Sequence, residues 1–338
     1  MNKLRKQLHI SGMNTMADCQ MRWKFRYVDN IKRPPNAYLL VGSATDESAT
    51  KNLQNKIDTQ ELLPRQDAIG IAEAKFDADK DKEPIELGVD EKREGRNLAD
   101  VLGEARDKTM NLAGLHYDKA APIIRPSVVR RRFSIDMDAF LRQRAKALHN
   151  QADQVTDNGT AKLLHNQASK LNAAAREGMD FAGEMDIVEQ WAVGQEQTYL
   201  SIRDTKTASK SPTKGYLDGH DSPGIADDSN QLDGYAVATK VLDGKLPDMM
   251  TLDFLIQTPA RRDLNYVPRK TTRTMDDVNV FLNRFANAVQ AIRTGMFVPT
   301  NPTDWRCSQR WCGYFDICEF AKRPKLIQIT KEIPSENS

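Results

Sequence analysis

The segment that most constrains the fold is residues 181–210, FAGEMDIVEQWAVGQEQTYLSIRDTKTASK. Two apolar runs flank AVGQEQ, the pattern of an antiparallel hairpin. Asp186 closes the run GEMD on the first strand, and Asp204 and Lys206 stand two apart on the second. Side chains alternate along a strand, so Asp204 and Lys206 share a face, roughly 6–7 Å apart along the backbone. The hairpin brings Asp186 beside Asp204. Two converging carboxylates are costly unless a cation sits between them, and a hard ion such as Mg²⁺ wants few carboxylates and several waters. A lysine beside such an ion can orient or help deprotonate an attacking water and stabilise charge on a phosphate. An incidental Lys–Asp pair on a surface hairpin is the plain alternative, because Asp-x-Lys alone recurs by chance. The longer order argues against it: a helix follows with Gln231 and Tyr235 four apart on one face, able to present an amide and a phenol to a phosphate backbone or a base.

Elsewhere the chain reads as helices, strands, then helix, strand, helix, without an internal repeat. Ser11–Tyr27 reads as one capped helix carrying Cys19, and residues 42–118 as mainly helical and strongly charged. IIRPSVVRRRFSIDMD reads as a strand, and residues 139–178 as a helical hairpin broken at Asn158-Gly159. A Gly, Ser, Pro and Asp-rich loop precedes a helix from near Ser229, MTLDFLIQ is a further strand, and Thr274 caps a helix running to Gly295. This is an α/β fold, expected as a single domain over 1–338. Its parts are an N-terminal helix with the first cysteine (1–48), a mainly helical insertion plus one strand (49–180), a core bearing the trio (181–258), and a C-terminal helix with a cysteine cluster (259–338). With a net charge of only +2, nucleic-acid contacts must come from local patches. Arg130 in its arginine run is one candidate, and Arg262, Tyr266 and Arg269 in PARRDLNYVPRKTTR are others, basic residues interleaved with an aromatic. No run approaches the roughly 20 apolar residues of a membrane helix, and the start lacks a signal-peptide apolar region. The expectation is a cytoplasmic protein with reduced thiols.

The four cysteines are Cys19, Cys307, Cys312 and Cys318, the last three spaced C-x4-C-x5-C. Four thiolates match the ligand count of a 4Fe–4S iron–sulfur cluster or of a structural Zn²⁺. Zinc sites usually come as paired C-x2–4-C knuckles, which the one-plus-three split suits less well. Buried apolar thiols in a C-terminal helix are the third reading. A bound group would staple residues near 19 to residues near 312 and close a long loop.

GEMD, IRDTK and QLDGY together resemble the PD-(D/E)XK nuclease superfamily, within it the exonuclease branch of bacterial RecB and AddB nuclease domains and the CRISPR-associated four-cysteine nucleases. The resemblance covers residues 11–46 and most of 181–320, and little of 50–180. It implies a restriction-endonuclease-like core, a mixed central sheet flanked by helices. It also implies a catalytic Mg²⁺ or Mn²⁺ on Asp186 and Asp204, Lys206 assisting the nucleophile, Gln231 and Tyr235 placing DNA, and a 4Fe–4S cluster on the four cysteines. Three departures stand out. Where the family has a histidine in G-x-x-x-H, GSATD places Asp46, followed by Glu47, as a third metal carboxylate or a changed site. Arg130 replaces a frequent acidic residue, and the first cysteine spacing is four rather than two. The function implied is a metal-dependent DNA exonuclease acting on single strands or DNA ends in recombination, repair or DNA processing in a bacterium or phage-infected cell. No P-loop G-x4-G-K-[ST] is present, so any motor is a separate helicase, and a recombination protein is the other expected partner. The alternatives are a catalytically weakened nuclease-fold DNA-binding or assembly subunit, and a zinc-stapled interaction protein.

Overall fold

The computed structural model of the protein describes residues 7–194 and 197–321. β1 (Gln7–His9) leads directly into α1 (Ile10–Asp18) and α2 (Gln20–Tyr27). The single helix expected here is broken at Cys19, which is extended at φ −167° and ψ 117°. α1 buries Ile10, Met13 and Met16 in the main core, and beyond the break the Trp23 ring of α2 joins the same core, stacked 5.8 Å from Phe297.

α3 (Ala37–Thr59) starts at Asn36, whose side chain accepts from the Leu39 N–H, and α4 (Arg65–Lys80), the short α5 (Val89–Arg93) and α6 (Leu98–Leu115) follow. One π-helical turn, His116–Ala120, leads to β2 (Val128–Asp136). α7 (Met137–Gln154) and α8 (Asn158–Ala174) form the expected hairpin, α8 being capped by Asp157. β3 (Asp180–Val193) and β4 (Gln197–Ala208) are the antiparallel pair; Gln195 and Glu196 of their turn lie outside the described residues. α9 (Asn230–Leu242) is capped by Ser229. β5 (Met249–Gln257) and β6 (Leu264–Thr271) precede α10 (Met275–Thr294), which runs from a Thr274–Asp277 capping box to Gly295 at φ 69°.

The sheet is mixed, in the order β1-β3-β4-β5-β6, with β2 also on β3. β1–β3 and β4–β5 are parallel; the other pairs are antiparallel. β1 and β2 both pair with residues 180–182 of β3, while β2 and β4 both pair with Ile187 and Val188. A strand has two edges, so β1 must occupy the edge that β4 uses further along. β3 and β4 therefore part company after Ile187↔Arg203, and β4 continues beside β5 alone. The sheet forks at Asp186 and Asp204.

Helices cover both faces. On one, α10 buries Val278, Phe281, Leu282, Phe285, Val289 and Ile292, recurring every three or four positions, against Phe181, Ile202 and Leu252, with α1, α7, α8 and α9 in the same core. The Phe181 and Phe281 rings meet at 5.1 Å, each burial contributing roughly 1.5–3 kcal/mol. On the other, α3, α4 and α6 pack Leu40, Phe76 and Leu112 around Leu255.

Candidate active site

The fork is where the sequence trio meets. Asp204 is fully buried on β4. Its Oδ1 accepts from Gln231 Nε2 at 2.8 Å, and its Oδ2 lies 2.5 Å from Lys206 Nζ. Lys206 Nζ in turn donates to Gln231 Oε1 at 2.9 Å. One turn further along α9, Tyr235 Oη accepts from Gln231 Nε2 at 2.7 Å and donates to the Glu184 carbonyl at 2.7 Å. Only 1% of Tyr235 is exposed, so it anchors α9 to β3 and holds Gln231 in place. Asp186 stands on β3 one step past the last β3–β4 pair, and its Oδ2 accepts the Thr205 N–H at 3.2 Å.

Asp46 enters from α3. It pairs with Arg130 Nη2 at 2.8 Å, as does Glu47, and Arg130 Nε lies 3.8 Å from Glu184 Oε1. Arg130 stands opposite Asp186 where the β2–β3 ladder skips a pair, at φ 50°. A left-handed conformation costs a non-glycine residue roughly 1–2 kcal/mol, and three carboxylates offset it here. Arg130 is thus paired with carboxylates.

Burial pushes the Asp186 carboxyl well above its usual range, and Asp204 and Asp46 push it further. Asp46 is raised chiefly by burial, against the lowering effect of Arg130. Burial opposes the charge on Lys206, but Asp204, Asp186 and Asp46 outweigh it and hold its pKa above the ordinary value. A charged ammonium cannot take a proton from water. In this arrangement Lys206 donates to Gln231 and pairs with Asp204.

An all-oxygen donor set fits a hard divalent ion such as Mg²⁺ or Mn²⁺. The ligands are not preassembled: among the described residues no group of three or more His, Cys, Asp or Glu is arranged to hold a metal ion. Arg130 pairs with Asp46 and Lys206 with Asp204, while Asp186 accepts the Thr205 N–H.

Other predicted residues lie elsewhere. Tyr266 Oη donates to Asp253 at 2.6 Å inside a network on the opposite face, where Arg203 grips Asp253 with two 2.8 Å bonds. Arg269 is buried, 3.5 Å from Asp218. Arg262 is exposed in the β5–β6 turn. Glu184, an acidic residue two before Asp186, escaped the sequence reading, and Tyr235, named there for DNA contact, has a packing role that the sequence did not show. Asp253 in MTLDFLIQ carried a signal of its own, since a charge inside an apolar strand needs a buried partner.

The four cysteines are free thiols that line one cavity with Phe25, Tyr314 and Phe315. They sit in turns rather than a helix, and like the carboxylates they are not arranged as a metal-holding group. Cys19 Sγ accepts from the Thr300 N–H at 3.4 Å. Burial pushes the Cys307 and Cys312 thiols up, and the other three cysteines add to the shift at Cys307.

A mixed sheet flanked by helices, forked between two carboxylates with a lysine beside them, defines the restriction-endonuclease-like fold. The chain belongs to the PD-(D/E)XK nuclease superfamily, whose family model matches residues 7–319. Nucleases of this superfamily typically use Mg²⁺ or Mn²⁺. A Eubacterium rectale protein crystallised as a candidate exonuclease is similar at 11% identity and a TM-score of 0.46, over 97% of this chain and 94% of that one. The protein SSO0001 is similar at 12% identity and a TM-score of 0.25, over 64% of this chain and 98% of that one. No curated protein matches the chain.

Proposed function

We propose that the protein is a metal-dependent deoxyribonuclease that hydrolyses phosphodiester bonds exonucleolytically, on single-stranded DNA or DNA ends. The observation that carries this reading is the interlocked set at the fork, in which Gln231 joins Asp204 to Lys206 and Asp186 closes the gap from β3. Mg²⁺ or Mn²⁺ on Asp186 and Asp204, with Asp46 as a third ligand, would supply a polarised water and neutralise phosphate charge. Lys206 orients that phosphate and Tyr235 keeps the α9 amide in register.

The four cysteines are proposed to hold a 4Fe–4S cluster, with structural Zn²⁺ as the alternative. The support is that residues 19 and 307–318 converge on one cavity. The expected setting is recombination, repair or DNA processing in a bacterial or phage-infected cytoplasm, beside a recombination protein or separate helicase. Among the described residues, no helix is long and apolar enough to cross a membrane. A second reading, a DNA-binding or assembly subunit without turnover, is favoured by the grip of Arg130 on Asp46 and Glu47.

Digestion of end-labelled single- and double-stranded DNA with Mg²⁺ or Mn²⁺ separates the readings. Oxygen-free wild type is compared with Asp204→Ala and Lys206→Ala, each expected to lose on the order of 10³-fold in rate while still binding DNA. Wild type that binds DNA and cuts nothing with either metal supports the second reading. About four iron atoms per chain support the cluster; colourless protein with stoichiometric zinc removes it.

A further inference from the structure

A cleft of about 250 Å³ lies between the start of α3, α6 and the far ends of β4 and β5. Its chemistry is unlike that of the fork. Lys108, half-buried on α6, donates to Ser209 Oγ at 2.9 Å and pairs with no carboxylate among the described residues. Burial alone lowers its pKa, so the charge sits there uncompensated. Its Nζ is 5.8 Å from the ring centroid of Tyr38, which is 52% exposed and fixed by a 3.0 Å bond from its Oη to Glu91. Arg262, exposed at φ 55°, forms a further part of the lining and makes no ion pair among the described residues. Gln257, also lining the cleft, is buried with its Oε1 unpartnered.

Arg96, paired with Glu104 at 2.7 Å, and Asp107 complete the charged lining. Lys108 and Arg262, the lining cations with no ion pair among the described residues, form with the held aromatic ring and the unsatisfied amide a set that suits a nucleotide: phosphate, base face and base edge. The cleft is near the carboxylates along two elements. Ser209 is three residues beyond Lys206 on an extended chain, roughly 10 Å. Tyr38 is eight residues before Asp46 on α3, roughly 12 Å. A strand with a phosphate every ~3.4 Å or more crosses that distance in two or three nucleotides. We propose that this cleft is a substrate subsite for a nucleotide two or three positions from the reacting phosphate, its base stacked on Tyr38 and its phosphates on Lys108 and Arg262. The proposal rests on the nuclease reading and adds a single, unpaired strand as what the site takes at this point, because a stacked base must leave its partner.

Anisotropy of a labelled single-stranded 12-mer, with Ca²⁺ replacing Mg²⁺, measures the subsite without turnover. Lys108→Met and Arg262→Ala should each weaken binding several-fold and reduce the salt slope by about 0.7. Tyr38→Ala should weaken it at least fivefold and Tyr38→Phe should not. An abasic residue scanned along the strand should abolish the difference between wild type and Tyr38→Ala at one position. Unchanged affinity in Arg262→Ala and Tyr38→Ala, or a Tyr38→Ala defect that no abasic position removes, overturns the subsite. Arg262 and Tyr38 are exposed, so these variants decide the matter even if Lys108→Met unfolds. A thymidine p-nitrophenyl phosphodiester, too short to reach the cleft, should be hydrolysed at the wild-type rate by these variants and not by Lys206→Ala. If wild type hydrolyses neither substrate, the nuclease reading falls, and the binding series still decides the cleft.

Discussion

Gln231 uses both ends of one amide on two charged partners, donating to Asp204 and accepting from Lys206, which an ionised carboxylate, an acceptor only, could not do. Its neighbours Asp186, Asp204 and Lys206 were legible in the sequence because strand alternation and a hairpin fix their faces without any knowledge of the rest. Arg130 was not. Its meeting with Asp46 spans 84 positions, and an arginine among arginines reads as a phosphate contact. The difference is testable. Arg130→Gln should lower the Mg²⁺ or Mn²⁺ concentration for half-maximal activity several-fold, since it frees Asp46 and Glu47. A rise in KM for DNA with unchanged metal dependence would restore the phosphate role. Tyr266, a tyrosine between basic residues, is half-buried, with its hydroxyl bonded to Asp253 and Arg203.

At the scale of elements, capping residues were readable: Thr274, Gly295 and Ser229 mark observed ends, and the helical hairpin breaks at 155–157, just before the expected Asn158-Gly159, which forms the first turn of α8. β1 was missed because three residues carry no periodicity, and β6 because an edge strand tolerates Pro268 and a charged outer face. The break at Cys19 turns Trp23 onto the core that α1 also lines, a tertiary contact that helical periodicity does not show. Gly234 shows how tightly α9 is seated. A Cβ there would strike Ile10 Cδ1, with Phe181 Cζ at 3.0 Å and Phe281 Cε2 at 3.1 Å. Gly234→Ala should therefore cost about 1–3 kcal/mol in urea unfolding. Because Gln231 and Tyr235 ride on the same helix, its residual activity should fall further than stability alone explains; activity restored fully in stabilising conditions would refute the link.

For the whole molecule, the opposite face of the sheet sets a pH limit. Burial pushes His116 down to about 4, with Arg203 adding and Asp253 opposing. Below pH ~6.5 the unfolded chain takes up a proton that the folded protein refuses until about 4. Stability is thus full above ~6.5 and declines through that window, by about 3 kcal/mol in all. Urea midpoints at pH 7 and pH 5 should show wild type losing about 2 kcal/mol more than His116→Gln; parallel losses would sink the assignment. The fork also has a spectroscopic consequence. Where β4 leaves β3, the Thr205 N–H has the Asp186 carboxylate as its acceptor instead of a strand carbonyl. Its amide resonance is a built-in indicator of the state of Asp186. Titrating Mg²⁺ should shift the Thr205 signal while Ile202, still within the paired strands, stays fixed, so that site occupancy can be followed in the absence of DNA.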